Sequence, residues 1–318
     1  MARIIRASVA QACTAKFSLN ETLDKLERLT RVARDRDGSQ LCVFPEAFIG
    51  GYPKNSTFGA VVGDRALAGR DEFARYYAAA IDIPSPAISR MEAVSRETGV
   101  FLVVGVIERD GGTLYCTVVF VDPVEGYIGK HRKLMPTGSE RLIWGQGDGS
   151  TLPVPEKDFG SAERPLKAKM SATICWENYM PLLRTYYYSQ GTQLYCAPTV
   201  DARPEWQSTM QHIALEGRCF VLAACQFAQA KDYPDEHFTT TNLSNEGIPD
   251  PEKVMIAGGS VIISPLGKIL AGPLRDAEDV LTADLDLDDI ARGKFDMDVV
   301  GHYARNDVFK LSVNAPHT

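Results

Sequence analysis

The chain has 318 residues, 45% of them hydrophobic and 24% charged, enough apolar side chain to enclose a full core without disulfides or metals. With 34 Lys and Arg against 41 Asp and Glu, the formal net charge of −7 argues against a nucleic-acid or anionic-membrane surface, since both need a concentrated positive field. A small neutral or polar molecule is the expected partner.

No run of about twenty apolar residues is present to span a bilayer, and the opening MARIIRASVAQAC carries charges where a secretory segment is apolar. A cytoplasmic location is therefore expected. The seven cysteines are scattered, odd in number and never spaced C-x-x-C, which indicates neither a disulfide framework nor a zinc cage. No linker, charge block or fixed-period repeat divides the sequence, so residues 1–318 read as one domain.

In chain order, Ser18 and Glu21 form an S-x-x-E capping box, and Leu19, Leu23, Leu26, Leu29 and Ala33 follow at helical spacing up to DRDG. LCVF, Leu41 to Phe44, is a short apolar strand stopped by Pro45 and Glu46. Ser85 and Pro86 open a second helix, with Ile88, Met91 and Val94 on one face and Gly99 as its stop, and it feeds the strand FLVVGVIE. TLYCTVVFVDPVEGYIGKHRK and SVIISPLGKILAGP each read as two antiparallel strands about a tight turn. Between them, a strand ends near Cys175, a helix runs from Pro181 to Gly191, and a strand reaches Cys196. The plan repeats with a helix carrying Trp206, Met210 and Ile213, then a continuous apolar strand from Cys219 to Phe227. Helix layers around stacked mixed sheets satisfy this pattern.

Three polar groups stand where a core does not want them: Glu46 past an apolar strand, Lys133 at the end of GYIGKHRK, and Cys175 at the end of MSATIC. Strand ends in layered α/β proteins collect functional side chains, because the scaffold is rigid and the loops leave room. Taken singly, each has a plain alternative: a solvated loop acid, one member of a basic run, a buried small thiol. Together they are complementary, since a thiol needs a base or a cation to become a thiolate.

The segments FPEAFIGGYP around Glu46, GKHRKLMPTGSERLIWGQGDGST around Lys133 and ICWENYMPLLRT around Cys175 resemble three signature segments of the nitrilase family, within the carbon-nitrogen hydrolase superfamily. The likeness continues through YCAPT, HIALEGRCFVLAACQF, GGSVIISPLGKILAGP and VGHYAR, and is greatest to plant and related microbial nitrilases. It implies a four-layer α-β-β-α sandwich of two mixed β-sheets. It also implies Glu46 as general base, Lys133 as cationic stabiliser and Cys175 as nucleophile, with Glu140 a further acid in the site. A solvated Glu140 paired with Arg141 is the alternative. Tyr52, Trp176, Thr199 and Val200 are the expected pocket residues.

The implied reaction is hydrolysis of a small organic nitrile to the carboxylic acid and ammonia through thioimidate and thioester intermediates, needing neither metal nor organic cofactor. Glu46 and the positive end of the following helix would favour the thiolate, and the backbone N–H of Trp176 would assist Lys133. A superfamily amidase, a cyanide- or nitrile-hydrating activity and an idle scaffold relative are the alternatives. The resemblance further implies a homodimer or larger homo-oligomer. Rival motifs fail. No glycine stands five residues before the Gly-Lys pairs at Gly129, Gly267 and Gly293, so a P-loop is absent. The run Asp284, Asp286, Asp288 lacks the glycine and glutamate of a calcium loop and reads as a solvated element terminus. No H-E-x-x-H is present, and His131 reads as a structural partner rather than a metal ligand.

Overall fold

The structure, a computed structural model, describes residues 3–239 and 247–314. Its strands are β1 (Ile4–Gln11), β2 (Leu41–Val43), β3 (Ala60–Val61), β4 (Asp64–Arg65), β5 (Phe101–Asp110), β6 (Thr113–Asp122), β7 (Gly126–Arg132), β8 (Glu156–Asp158), β9 (Lys167–Ala172), β10 (Leu194–Cys196), β11 (Phe220–Ala223), β12 (Phe227–Gln229), β13 (Val254–Ile263), β14 (Ile269–Arg275) and β15 (Asp279–Asp286). Its α-helices are α1 (Leu19–Arg31), α2 (Leu67–Ala79), α3 (Pro86–Thr98), α4 (Pro181–Ser189), α5 (Glu205–Gly217) and α6 (Asp288–Asp296). One sheet has the order β15-β1-β2-β5-β6-β7 and the other β12-β13-β11-β10-β9-β8, with β14 beside β13. Each has a parallel centre, β1-β2-β5 and β11-β10-β9, and antiparallel flanks.

Strand alternation sorts the side chains into layers. In β2, Leu41 and Val43 face the second sheet and pack with Val103, Met170, Leu194 and Phe220, while Cys42 packs outward with Leu102, Leu26 and Met91 of the covering helices. On the far side, Trp206, Met210 and Ile213 of α5 cover Tyr195, Val221 and Ile263. Helix, sheet, sheet and helix thus stack in four layers, as the sequence led one to expect.

Local details depart from the sequence reading. Ser18 occupies the N-cap of α1, but its side chain makes no capping bond. The Thr22 hydroxyl instead accepts from Ala15 N and donates to Ser18 O, folding the preceding loop back on the helix. Ser85 likewise caps α3 by position only, whereas Gly99 takes the left-handed conformation that ends it. The apolar run from Cys219 to Phe227 follows β13 in a single register from Val221 to Ala228, but its regular pairing lapses between β11, which stops at Ala223, and β12. The hairpin β3–β4 and helix α2, between the first two sequence-legible helices, are additions of the structure. Among the described residues no helix is long and apolar enough to cross a membrane.

Candidate active site

Glu46 sits in the loop after β2, which rides on β5 through Phe44 N to Val103 O (2.8 Å) and Ile49 N to Gly105 O (3.0 Å). The approach is so close that a Cβ on Gly105 would meet Pro45 O at 2.1 Å and Glu46 Cα at 2.8 Å. Gln226, between β11 and β12 of the second sheet, donates from Nε2 to Glu46 O at 2.7 Å and fixes the loop from the other side. Gly105→Ala is therefore expected to destabilise the fold by roughly 1–3 kcal/mol and to lower turnover by pushing Glu46 out of register. Thermal unfolding and turnover measured together check this; a variant with native stability and rate would show the contact to be soft.

Lys133 directly follows β7 and prolongs its pairing, donating from N to Cys116 O and accepting from Gly147 N, both at 2.8 Å. Its side chain is wholly buried, with Nζ 2.7 Å from Glu46 Oε1 and 2.8 Å from Glu140 Oε2. Glu140 reaches it from a 3-10 turn, Gly138–Leu142, in which Thr137 and Glu140 make a reciprocal capping box. Oε2 accepts from Thr137 N at 2.6 Å and Oε1 from Tyr52 Oη at 2.9 Å. Glu140 is thus buried against Lys133, not solvated and paired with Arg141.

Cys175 opens the 3-10 turn Cys175–Tyr179 with a φ of 51°, the left-handed region that a non-glycine residue enters at a cost of about 1–3 kcal/mol. The surroundings hold it there. Its N–H donates to Pro198 O at 2.9 Å, and Asn178 Nδ2 bridges Cys175 O (2.7 Å) and Thr173 O (3.0 Å).

Burial pushes the Glu46 carboxyl above the usual carboxylate range, although Lys133 pulls the other way. Burial opposes the charge on Lys133, but Glu46 and its neighbours outweigh it and hold the ammonium firmly charged. The Cys175 thiol is raised well above its ordinary value by burial and then by Glu46, against the pull of Lys133. The resting thiol therefore keeps its proton. The segment that follows Cys175 is a short 3-10 turn, Cys175–Tyr179, and α4 begins only at Pro181. Glu46 Oε2 has no hydrogen-bond partner, while the nearby Cys175 thiol favours the ionised carboxylate.

A cavity of about 430 Å³ opens over Cys175. Tyr52, Trp176 and Val200 line it as expected from the sequence, and Met255, Ile256 and Ala257 of β13 supply an apolar wall that the sequence reading did not foresee. Trp176 stays 43% exposed, its Nε1 donating to Asp201 Oδ2 at 2.9 Å while the Arg203 guanidinium covers the ring. Thr199 is not part of this wall. It is wholly buried, tied by its N–H to Ala224 O, and its hydroxyl accepts from Asp201 N and stabilises the ionised form of Cys175.

A family profile described as carbon-nitrogen hydrolase matches residues 6–295. The chain belongs to the carbon-nitrogen hydrolase family. An arylacetonitrilase of Trametes versicolor is 72% identical over 99% of this chain and 98% of its own length. A bifunctional nitrilase/nitrile hydratase of Nicotiana tabacum is 54% identical over 97% and 86%, and an aliphatic nitrilase of Sinorhizobium fredii is 52% identical over 97% and 95%. In fold, an amidase from Nesterenkonia sp. superposes with a TM-score of 0.63 at 20% identity, covering 92% of this chain and 95% of that one.

Within this nitrilase the sequence reading missed Gln226, Asn178 and Cys116. Cys116 points its thiol at Glu46 Oε1 from 3.6 Å, a second sulfur in the site that lies behind the carboxylate. Asn178 stood inside the C-W-E signature segment and Gln226 inside HIALEGRCFVLAACQF, so membership of a segment of likeness was the signal available for both.

Proposed function

We propose that this nitrilase hydrolyses an arylacetonitrile or a similarly apolar nitrile through Cys175, with Glu46 as general base, Lys133 as cationic stabiliser and Glu140 fixing the Lys133 ammonium. The observation that carries the reading is the convergence of a thiol, two carboxylates and an ammonium, of which Cys175 and Glu140 line a cavity with one apolar wall from β13 and charged groups elsewhere in its lining. The high identity to an arylacetonitrilase supports the substrate class.

Because the resting thiol is protonated, its proton passes to Glu46 as Sγ attacks the nitrile carbon, and Glu46 returns it to the nitrogen, giving a thioimidate. Lys133 offsets the charge building on that nitrogen. Glu46 next takes a proton from water as the oxygen adds to the carbon and passes it to the nitrogen, and transfer of the remaining hydroxyl proton to that nitrogen lets ammonia leave as the thioester carbonyl forms. A second water, activated in the same way, releases the carboxylic acid and restores the thiol. If sulfur leaves first, the product is the amide, an outcome supported by the bifunctional relatives. None of these steps calls on a metal or organic cofactor. The reading extends to a cytoplasmic homo-oligomer, a dimer or larger, for which exposed Trp176, Tyr179 and Leu182 beside the site offer apolar contact.

The test is ammonia release from a panel of arylacetonitriles, aliphatic nitriles and amides by chelator-treated protein. Turnover of arylacetonitriles is expected, and activity on amides alone or loss on chelation would overturn the proposal. The raised Glu46 carboxyl sets the acid limb: kcat/KM is expected to fall as pH drops through a value above the ordinary carboxylate range, because protonated Glu46 accepts nothing. A pH profile with its acid limb near 4 or below, in the range of a solvated carboxylate, counts against Glu46 as base.

A further inference from the structure

Among the buried ionisable groups outside this chemistry, His131 and Glu177 face one another beside the site. His131 and Lys133 lie two residues apart on one face of the strand, while Arg132 between them points the other way to Glu108 and Asp110. Glu177 lies two residues after Cys175. Both side chains are fully excluded from solvent.

Every lone pair and proton between them is accounted for. Glu177 Oε1 accepts from Leu134 N at 2.6 Å, and Oε2 accepts from Ile174 N at 2.8 Å. One carboxylate thus grips the residue just after Lys133 and the residue just before Cys175. With a backbone N–H on each oxygen, it is the ionised form that fits. His131 Nε2 faces the same oxygens at 3.2 and 2.9 Å, and its Nδ1 faces Thr151 O at 2.7 Å. A carbonyl and a carboxylate can only accept, so a proton is required on each ring nitrogen. The other titratable group facing the ring is Tyr187 of α4, edge-on with centroids 6.3 Å apart, and it brings no positive charge.

We infer that His131 is a permanently doubly protonated imidazolium whose ion pair with Glu177 straps the Lys133 strand end to the Cys175 turn and sets the distance between ammonium and thiol. Both are positioning residues, since neither touches the reacting atoms. The Glu177 charge also holds the imidazolium above the ordinary histidine range, against burial. The inference rests on the roles proposed for Lys133 and Cys175.

The test combines spectroscopy of the native protein with two variants. In protein labelled with 15N-histidine, His131 is expected to show protons on both ring nitrogens at a pH about one unit above 6.5, where a free imidazole has lost one. Glu177→Gln and His131→Gln, each folded by circular dichroism, are expected to lose about tenfold or more in kcat with KM changed about twofold or less, because a misplacement near 1 Å is costly in the transition state. The double variant is expected to lose no more than either single one, since the pair acts as a unit. A singly protonated His131, or folded variants with unchanged kcat, overturns the inference. Loss of the fold in both variants also overturns it, reducing the pair to a structural role. Cys175→Ala, assayed alongside, separates the two readings: turnover surviving there sinks the site assignment and leaves the protonation result standing.

Discussion

Cys175→Ala is expected to abolish turnover, a loss on the order of a millionfold as when other covalent enzymes lose their nucleophile, while circular dichroism and the unfolding midpoint stay close to native. The side chain lost is small, and what fixes the backbone there survives: the bond from Cys175 N to Pro198 O and the Asn178 clamp use main-chain atoms. Mass spectrometry of native protein trapped during turnover should find a substrate-derived adduct on Cys175. The competing sulfur is Cys116, against the same Glu46 carboxylate. An adduct on Cys116, or measurable turnover in Cys175→Ala, would show that the nucleophile has been misassigned.

The second large effect is expected at Lys133, where Arg should fail despite keeping the charge. Nζ sits between Glu46 and Glu140 at 2.7 and 2.8 Å with no solvent access, and the Trp144 ring lies 5.5 Å away. A planar guanidinium is larger and donates in a fixed fork, so it cannot take the place of a compact ammonium in that space. Losing a contact to developing charge costs about a hundredfold or more in rate, and overpacking adds to it. Lys133→Ala leaves two buried carboxylates facing one another without a cation, and the loss of one partner from a buried pair costs about 3–5 kcal/mol. Turnover and unfolding of both variants decide the matter. An Arg variant near the native rate would mean that Lys133 acts only as a distant charge.

The comparison of sequence with structure divides along the length scale of the interaction. Glu46, Lys133 and Cys175 were legible as complementary groups at strand ends, and it was the resemblance of their segments to nitrilase signatures that gave them roles. Glu140 was half legible. The resemblance marked it as a further acid, but whether that carboxylate meets solvent or Lys133 depends on where its turn docks. Thr199 was assigned to the pocket from its place after Pro198, yet its strand-like pairing with Cys225 turns it away from the cavity wall and under the thiol.

What the sequence alone determined is the layering, because alternation is local: each strand's inward and outward residues are fixed by the two-residue period before any partner is known. It also determined the end of α3 at Gly99, a residue that adopts the left-handed stop without strain. Tertiary structure alone decided the rest. Regular pairing lapses between Ala223 and Phe227, and from that stretch Gln226 reaches the Glu46 loop of the opposite sheet. The bond from Glu177 to Leu134 N and its pairing with His131 join segments more than forty residues apart. Hydrophobic periodicity records which face of an element is buried, not which distant polar group it will meet, and a buried polar group is stable only once that partner is in place.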